Sequence, residues 1–147
     1  MRTLLCFAFV VAFALPADAA DTGSDVSAPP PPAVSPMKKA RGAIARKQWA
    51  ASLPLLDAEL RQNPRNADAY NLMGYATRHL GRYEESLRHY RKALQLDPKH
   101  RGAHEYLGEL YLRIKRPEKA RAHLKHLEKL CPSGCEERSE LAEALEN

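Results

Sequence analysis

The chain has 147 residues, of which 44% are hydrophobic and 28% charged, so it is long enough for one small domain and too short for a large multidomain enzyme. Its 23 Lys and Arg residues against 18 Asp and Glu residues give a formal net charge of +5. A basic balance of this kind makes an anionic partner plausible on electrostatic grounds.

Residues 1–19 have the pattern of a secretory signal peptide. A basic residue precedes an apolar run over residues 4–15, which is followed by Pro16 and a small-residue site at residues 17–19. The run is too short to span a bilayer, and no second apolar stretch of about 20 residues follows it. We therefore expect an exported protein, periplasmic in a Gram-negative bacterium, with no transmembrane segment after cleavage. Because acidic proteins and envelope polymers are the common anions outside the cytoplasm, we expect no nucleic acid partner.

Residues 20–36 form a proline-rich linker by composition. Four consecutive prolines occupy residues 29–32, in a stretch without apolar periodicity that cannot build a core. We expect a disordered, semi-rigid tether, and a proline-rich ligand for another domain is the alternative.

The chain from residue 37 onward is predicted to be helical. It is rich in Ala, Leu, Glu, Lys and Arg, with apolar residues three and four positions apart, and no strand pattern competes. Prolines recur at Pro64, Pro98 and Pro132, an interval of 34 residues each time. A fixed period of this size is typical of a repeat protein.

Gly74 and Gly108 also recur at this period, as do Pro98 and Pro132. Aromatic, small and apolar residues accompany them at helical spacing: Tyr70, Tyr83, Tyr90, Ala93, Leu107, Tyr111, Ala120 and Leu124. With these residues the chain resembles the tetratricopeptide repeat family, whose helix-turn-helix unit carries such a pattern. The resemblance implies an all-α, right-handed α-solenoid of about three units, 37–66, 67–100 and 101–134. The first unit is degenerate, and residues 135–147 are predicted to form a capping helix.

Two glycines are expected where helices cross closely. A Cβ atom at Gly74 or Gly108 would push the crossing apart, and large residues such as Tyr90 and Tyr111 fill the remaining space. Stacked units bury the apolar faces that each unit alone would expose, and the last unit then needs a cap with a polar outer face.

Cys131 and Cys135 are the two cysteines that remain after signal cleavage. In an exported protein they are expected to form a disulfide that fixes the angle of the cap. One alternative is a metal-binding accessory protein in which His123 and His126 join both thiolates. Another is a redox-active pair, although no thioredoxin-like pattern surrounds it.

The sequence contains no recognisable catalytic constellation, phosphate-binding loop or haem-attachment motif. We therefore expect no enzymatic activity, no cofactor and no resident metal.

The function expected from the resemblance is protein binding. In this family the first helix of each unit lines a concave groove, which predicts a non-catalytic adaptor of the bacterial cell envelope that binds a partner peptide or protein. The mapped groove residues are Arg41, Ala45, Asn71, Tyr75, Arg78, His79, Glu105, Glu109, Leu112 and Arg113. Tyr75 with the three arginines forms an aromatic and cationic set, which favours an acidic partner or a carboxylate terminus. The alternative is that these arginines only solvate a helix face.

Overall fold

The computed structural model describes residues 34–147, so the predicted signal peptide and all but the end of the predicted linker lie outside the described residues. The described part forms seven α-helices and no strand, and none of these helices is long and apolar enough to cross a membrane. The helices are α1 (Pro36–Ala45), α2 (Trp49–Gln62), α3 (Ala67–His79), α4 (Tyr83–Leu96), α5 (Arg101–Arg113), α6 (Pro117–Leu130) and α7 (Glu136–Glu146). The predicted all-α solenoid is confirmed.

The first helix of each hairpin begins at a side-chain cap. Ser35 accepts a hydrogen bond from the backbone N–H of Lys38, and Asn66 accepts one from Ala69. The Nδ1 atom of His100 accepts the N–H of Ala103 in the same way. These caps satisfy backbone donors that the first turn of a helix leaves unpaired.

The turn inside each hairpin requires a left-handed residue at the same repeat position. Gly81 has a φ of 75°, while the equivalent Lys47 and Lys115 have φ values of 58° and 59°. This conformation is free for glycine but costs other residues about 1–2 kcal/mol. The backbone therefore repeats every 34 residues even where the sequence does not.

The hairpins α1–α2, α3–α4 and α5–α6 stack in chain order. Helix α3 contacts both α1 and α5, so the first helices of the hairpins lie side by side. Helix α7 packs against α5 and α6 and so takes the next place in this row. We call α1, α3, α5 and α7 the inner row.

Most of the repeat positions are buried, but five are not in the core. Tyr90, Ala93, Leu107, Tyr111 and Ala120 are at most 5% exposed. By contrast, Pro98 and Pro132 are exposed because they lie in the turns that follow α4 and α6, where they end helices rather than fill space. Tyr70, Tyr83 and Leu124 are half-buried at the edge of the hairpins.

The two glycines mark close contacts of different kinds. A Cβ atom on Gly74 would lie 2.6 Å from the ring of Tyr90, inside the α3–α4 hairpin. A Cβ atom on Gly108 would lie 2.5 Å from a methyl carbon of Leu141, between α5 and the cap α7. Leu141 is fully buried, so this contact anchors α7 on the last hairpin.

Cys131 and Cys135 form a disulfide, and their Cα atoms lie 6.0 Å apart. The bond connects the end of α6 directly to the start of α7. It therefore restrains the direction in which the cap leaves the last hairpin.

Substitution of Gly74 by Ala is expected to lower the free energy of unfolding by about 1–3 kcal/mol, because the added methyl group meets the ring of Tyr90. Urea denaturation measures the change. Gly42 in α1 is a matched control, since the nearest atom to its added Cβ is the flexible end of Arg46 at 3.5 Å. Gly42→Ala is expected to stabilise by up to about 1 kcal/mol through helix propensity. Equal effects of the two substitutions would contradict the close contact at Gly74.

Candidate functional site

The candidate surface is the exposed side of the inner row. Its central residue is Arg78 on α3, which is only 9% exposed and forms an ion pair with Glu109 on α5. The guanidinium carbon lies 5.4 Å from the ring centre of Tyr75 and 5.6 Å from that of Tyr106. Arg78 is therefore held in place by a carboxylate and two aromatic rings, and it does not extend into solvent.

An aromatic cluster extends from Tyr75 across three helices. His79 stacks on Trp49 at 4.2 Å between ring centres, and Tyr75 lies 4.8 Å from Tyr106. Burial, with the positive charges of Arg78 and Arg113, lowers the pKa of His79, so its imidazole is neutral near pH 7. Neither Trp49 nor Tyr106 was predicted for this surface. Trp49 begins α2 in the degenerate unit, and its contacts with α3 arise between repeats, where sequence spacing does not predict them.

Arg41 on α1 also forms an ion pair. Its guanidinium lies 2.8 Å from Asp68, and the same carboxylate lies 3.0 Å from Nε2 of His100. Asp68 thus connects residues of three successive hairpins, although each pair is partly exposed and so weakly stabilising.

The three arginines of the predicted aromatic and cationic set differ in their surroundings. Arg41 and Arg78 each have a carboxylate partner, whereas Arg113 is exposed and makes no ion pair among residues 34–147. Arg113 lines one recess with Arg78 and His79 and a neighbouring one with Leu112 and Glu109. Of these three arginines, Arg113 is the one without an ion pair within residues 34–147.

The other end of the surface is an acidic cleft of about 280 Å³. Helix α1 contributes Arg41, α3 and α5 contribute Asn71, Gly102 and Glu105, and the first turns of α7 contribute Glu136, Glu137 and Glu140. The cap therefore supplies three of the four carboxyl groups in the lining. Asn71 and Glu105 were predicted for the groove, whereas α7 was predicted only as a cap with a polar outer face.

Glu105 has an unusual environment for a carboxyl group. It is 3% exposed, and its Oε1 atom has no hydrogen-bond partner among the described residues. Burial raises the pKa of Glu105 to about 9, and the nearby carboxylates of Glu140, Glu109 and Glu137 act in the same direction. The carboxyl group is accordingly protonated near pH 7.

A histidine cluster lies between α5 and α6. Nε2 of His104 donates to the carbonyl of Pro98 at 3.0 Å, which leaves its Nδ1 to accept from Nδ1 of His123 at 2.9 Å. His126 stacks on His104 at 4.9 Å. Burial, then the neighbouring histidines, lower the pKa of His123 to about 4. Burial also lowers the pKa of His104, so His104 and His123 are neutral near pH 7 and their hydrogen bond joins α5 to α6.

This arrangement disfavours the alternative of a metal site formed by His123, His126 and both cysteines. The sulfur atoms are bonded to each other, so they are not available as thiolates, and His123 faces His104. Residues 34–147 contain no group of three or more His, Cys, Asp or Glu residues arranged to hold a metal ion.

Comparison with known proteins agrees with the fold. Residues 65–133 match the sequence model of the family described as tetratricopeptide repeat. The chain is 34% identical over 107 residues to a TPR repeat-containing thioredoxin, TTL4, of Arabidopsis thaliana, and the match covers 71% of this chain but 15% of that protein. The chain thus spans a small part of the curated relative.

Solved structures also share this fold. MamA (41-end) from Desulfovibrio magneticus RS-1 is 28% identical with a TM-score of 0.63, over 67% of this chain and 55% of that chain. The Arabidopsis OM64 TPR domain has a TM-score of 0.68 at 22% identity, over 76% of this chain and 91% of that domain. The second likeness shows the fold alone.

Substitution of Glu105 by Gln is expected to change how stability depends on pH. The folded pKa of about 9 lies above the ordinary value of 4.5, so between these values the unfolded chain releases a proton that the folded protein keeps. The stability that Glu105 contributes to the wild-type protein is therefore fully present below about pH 4.5 and is lost progressively as the pH rises to about 9.

Glu105→Gln removes this pH-dependent loss of stability. The free energy of unfolding of the variant is expected to exceed that of wild type by on the order of 1–3 kcal/mol at about pH 8, and by less at about pH 5. Urea denaturation at both pH values measures the difference. The exposed Glu128 on α6 gives the charge-matched control Glu128→Gln, which is expected to show no such trend. A variant whose advantage over wild type is the same at both pH values would contradict the neutral state of Glu105.

Proposed function

Because the chain belongs to the tetratricopeptide repeat family, matched over residues 65–133, we propose that it is a non-catalytic adaptor that binds a partner protein along its inner row. Proteins of this family generally mediate protein–protein interactions, and the fold is typically an interaction scaffold. The observation that carries the proposal is the aromatic surface of Trp49, Tyr75, His79 and Tyr106 between two recesses of different charge. Aromatic residues around a fixed arginine are typical of binding surfaces.

The predicted acidic or carboxylate-terminal character of the partner applies to one end of this surface. Arg113, exposed and without an ion pair in residues 34–147, is a suitable contact for an acidic residue or a C-terminal carboxylate. Arg41 and Arg78 are neutralised by Asp68 and Glu109, so we do not assign them this role.

We also propose that the adaptor acts outside the cytoplasm, in the bacterial cell envelope. The support is the signal-peptide pattern of residues 1–19, together with the Cys131–Cys135 disulfide, a bond that persists in oxidising compartments. The linker at residues 20–36 would then separate the repeats from the start of the mature chain. Neither the metal nor the thiol-redox alternative is proposed, since the cysteines are bonded to each other and no observation favours exchange.

Photocrosslinking tests the adaptor. A photoreactive amino acid at Arg113, on the inner row, is expected to capture one dominant protein in cells that make this chain, whereas the same amino acid at the exposed Arg88 on α4 captures none. The purified partner should then bind wild type and Arg88→Glu equally and Arg113→Glu about tenfold or more weakly, because a charge-assisted contact is reversed. Equal capture from both positions, or unchanged binding by Arg113→Glu, would contradict binding along the inner row.

Intact-mass measurement tests the export proposal. Protein recovered from the cell envelope should have the mass of a chain that begins at Ala20. It should take up no thiol label before reduction and two labels after it, because Cys131 and Cys135 are then the remaining cysteines. An uncleaved mass with free thiols would argue for a cytoplasmic protein instead.

A further inference from the structure

The acidic cleft contains two buried hydrogen-bond acceptors from different helices that no described residue uses. Asn71 on α3 is 6% exposed, and its Oδ1 has no partner within residues 34–147. Glu105 on α5 is 3% exposed, and its Oε1 is unpartnered in the same way. An unsatisfied buried polar group costs about 1–3 kcal/mol, so two of them lining one cleft favour a ligand that donates hydrogen bonds.

The negative charge of the cleft favours a positively charged ligand. Glu136, Glu137 and Glu140 of α7 line it with Glu105 and with one cation, Arg41, whose guanidinium is paired with Asp68. Glu137 lies 3.4 Å from Arg101, whereas Glu136 and Glu140 make no ion pair among the described residues. Any donor that enters is therefore more favourable when it is positively charged.

We propose that this cleft binds a primary ammonium group, carried by a lysine side chain of the partner protein. The inference rests on the proposed adaptor function and gives the chemistry of one contact within it. An ammonium has three donors, and the cleft offers three acceptor groups: Oδ1 of Asn71, Oε1 of Glu105 and the carboxylate of Glu140. Leu72 and Tyr106 also line the cleft and provide apolar surface for the methylene stem.

Lysine fits this arrangement better than arginine does. A guanidinium is planar and binds best to two oxygens of one carboxylate, whereas the unpartnered acceptors here belong to separate side chains on separate helices. Gly102 contributes to the space, because a Cβ atom there would lie 3.4 Å from Nδ2 of Asn71. Larger side chains at Gly102 would narrow the entrance to both acceptors.

The experiment uses n-butylammonium as the probe, so that it does not depend on the identity of the partner. Titration of isotope-labelled protein, followed by NMR, is expected to shift the side-chain amide of Asn71 and the backbone amide of Gly102 in a saturable manner. Equal concentrations of sodium chloride and of n-butanol serve as controls for ionic strength and for the alkyl chain. Shifts no larger than with these controls, or tighter binding of n-butylguanidinium, would overturn the proposal.

Variants separate binding from folding. Glu105→Leu is expected to weaken n-butylammonium binding about tenfold or more, since a hydrogen bond to a charged group is worth about 1.5–3 kcal/mol. Glu105→Gln keeps a neutral acceptor oxygen at this position and is expected to retain binding. Cooperative urea denaturation of Glu105→Leu would show that its loss of binding is not a loss of fold. Glu128→Gln should leave binding unchanged, and Asn71→Leu should weaken it by removing the other acceptor. Wild-type affinity in Glu105→Leu would refute the assignment.

The adaptor proposal and the lysine-contact proposal are contradicted by different results. Binding of n-butylammonium that depends on Glu105, without capture from Arg113, would support the cleft and contradict the adaptor. Capture from Arg113 without ammonium binding would support the adaptor and overturn the lysine contact.

Discussion

The contact between Leu141 and Gly108 determines what the end of this solenoid can bind. Because residue 108 has no Cβ atom, the buried Leu141 packs directly on α5 and brings α7 into the inner row. Helix α7 then presents Glu137 and Glu140 beside Glu105, and the acidic cleft exists only in that arrangement. The Cys131–Cys135 disulfide supports the same position by connecting α6 to the start of α7. A helix whose first role is to cover an apolar face thus also forms a wall of the binding surface.

The equivalent glycine one repeat earlier has a different consequence. Gly74 accommodates the ring of Tyr90 within its own hairpin, and Ser86 donates to the carbonyl of Gly74 at 2.7 Å. That compact hairpin holds Arg78 and Tyr75 at fixed positions on α3. Arg78 is then neutralised by Glu109 from the next hairpin, so the middle of the surface is aromatic and uncharged overall. The unpaired charges of Arg113 and of the cleft glutamates therefore lie outside this aromatic part.

Much of this architecture follows from the sequence, because helical periodicity, the recurring prolines and the two glycines are local signals. The pairing of side chains does not. Arg41 and Arg78 are indistinguishable from free surface arginines until the stacking places Asp68 and Glu109 beside them. The same holds for His104, which occupies the repeat position of Tyr70 but forms a neutral cluster with His123. Sequence spacing fixes contacts within a helix, whereas contacts between repeats depend on the superhelical geometry.

A comparison of two buried glutamates, Glu59 and Glu105, favours a role in ligand binding for Glu105 over a role in packing. Glu59 on α2 is 5% exposed, and its Oε1 accepts hydrogen bonds from the side chains of Asn63 and Asn66 at 2.9 Å each. Asn66 in turn caps α3, so this carboxylate is part of the fold. Glu105 is as deeply buried, yet it lies among other carboxylates and its Oε1 has no donor within residues 34–147. Where a fold supplies donors to one buried carboxyl group and leaves another without them at a cleft, the second is expected to receive its donor from a ligand, at a cost in stability of the free protein.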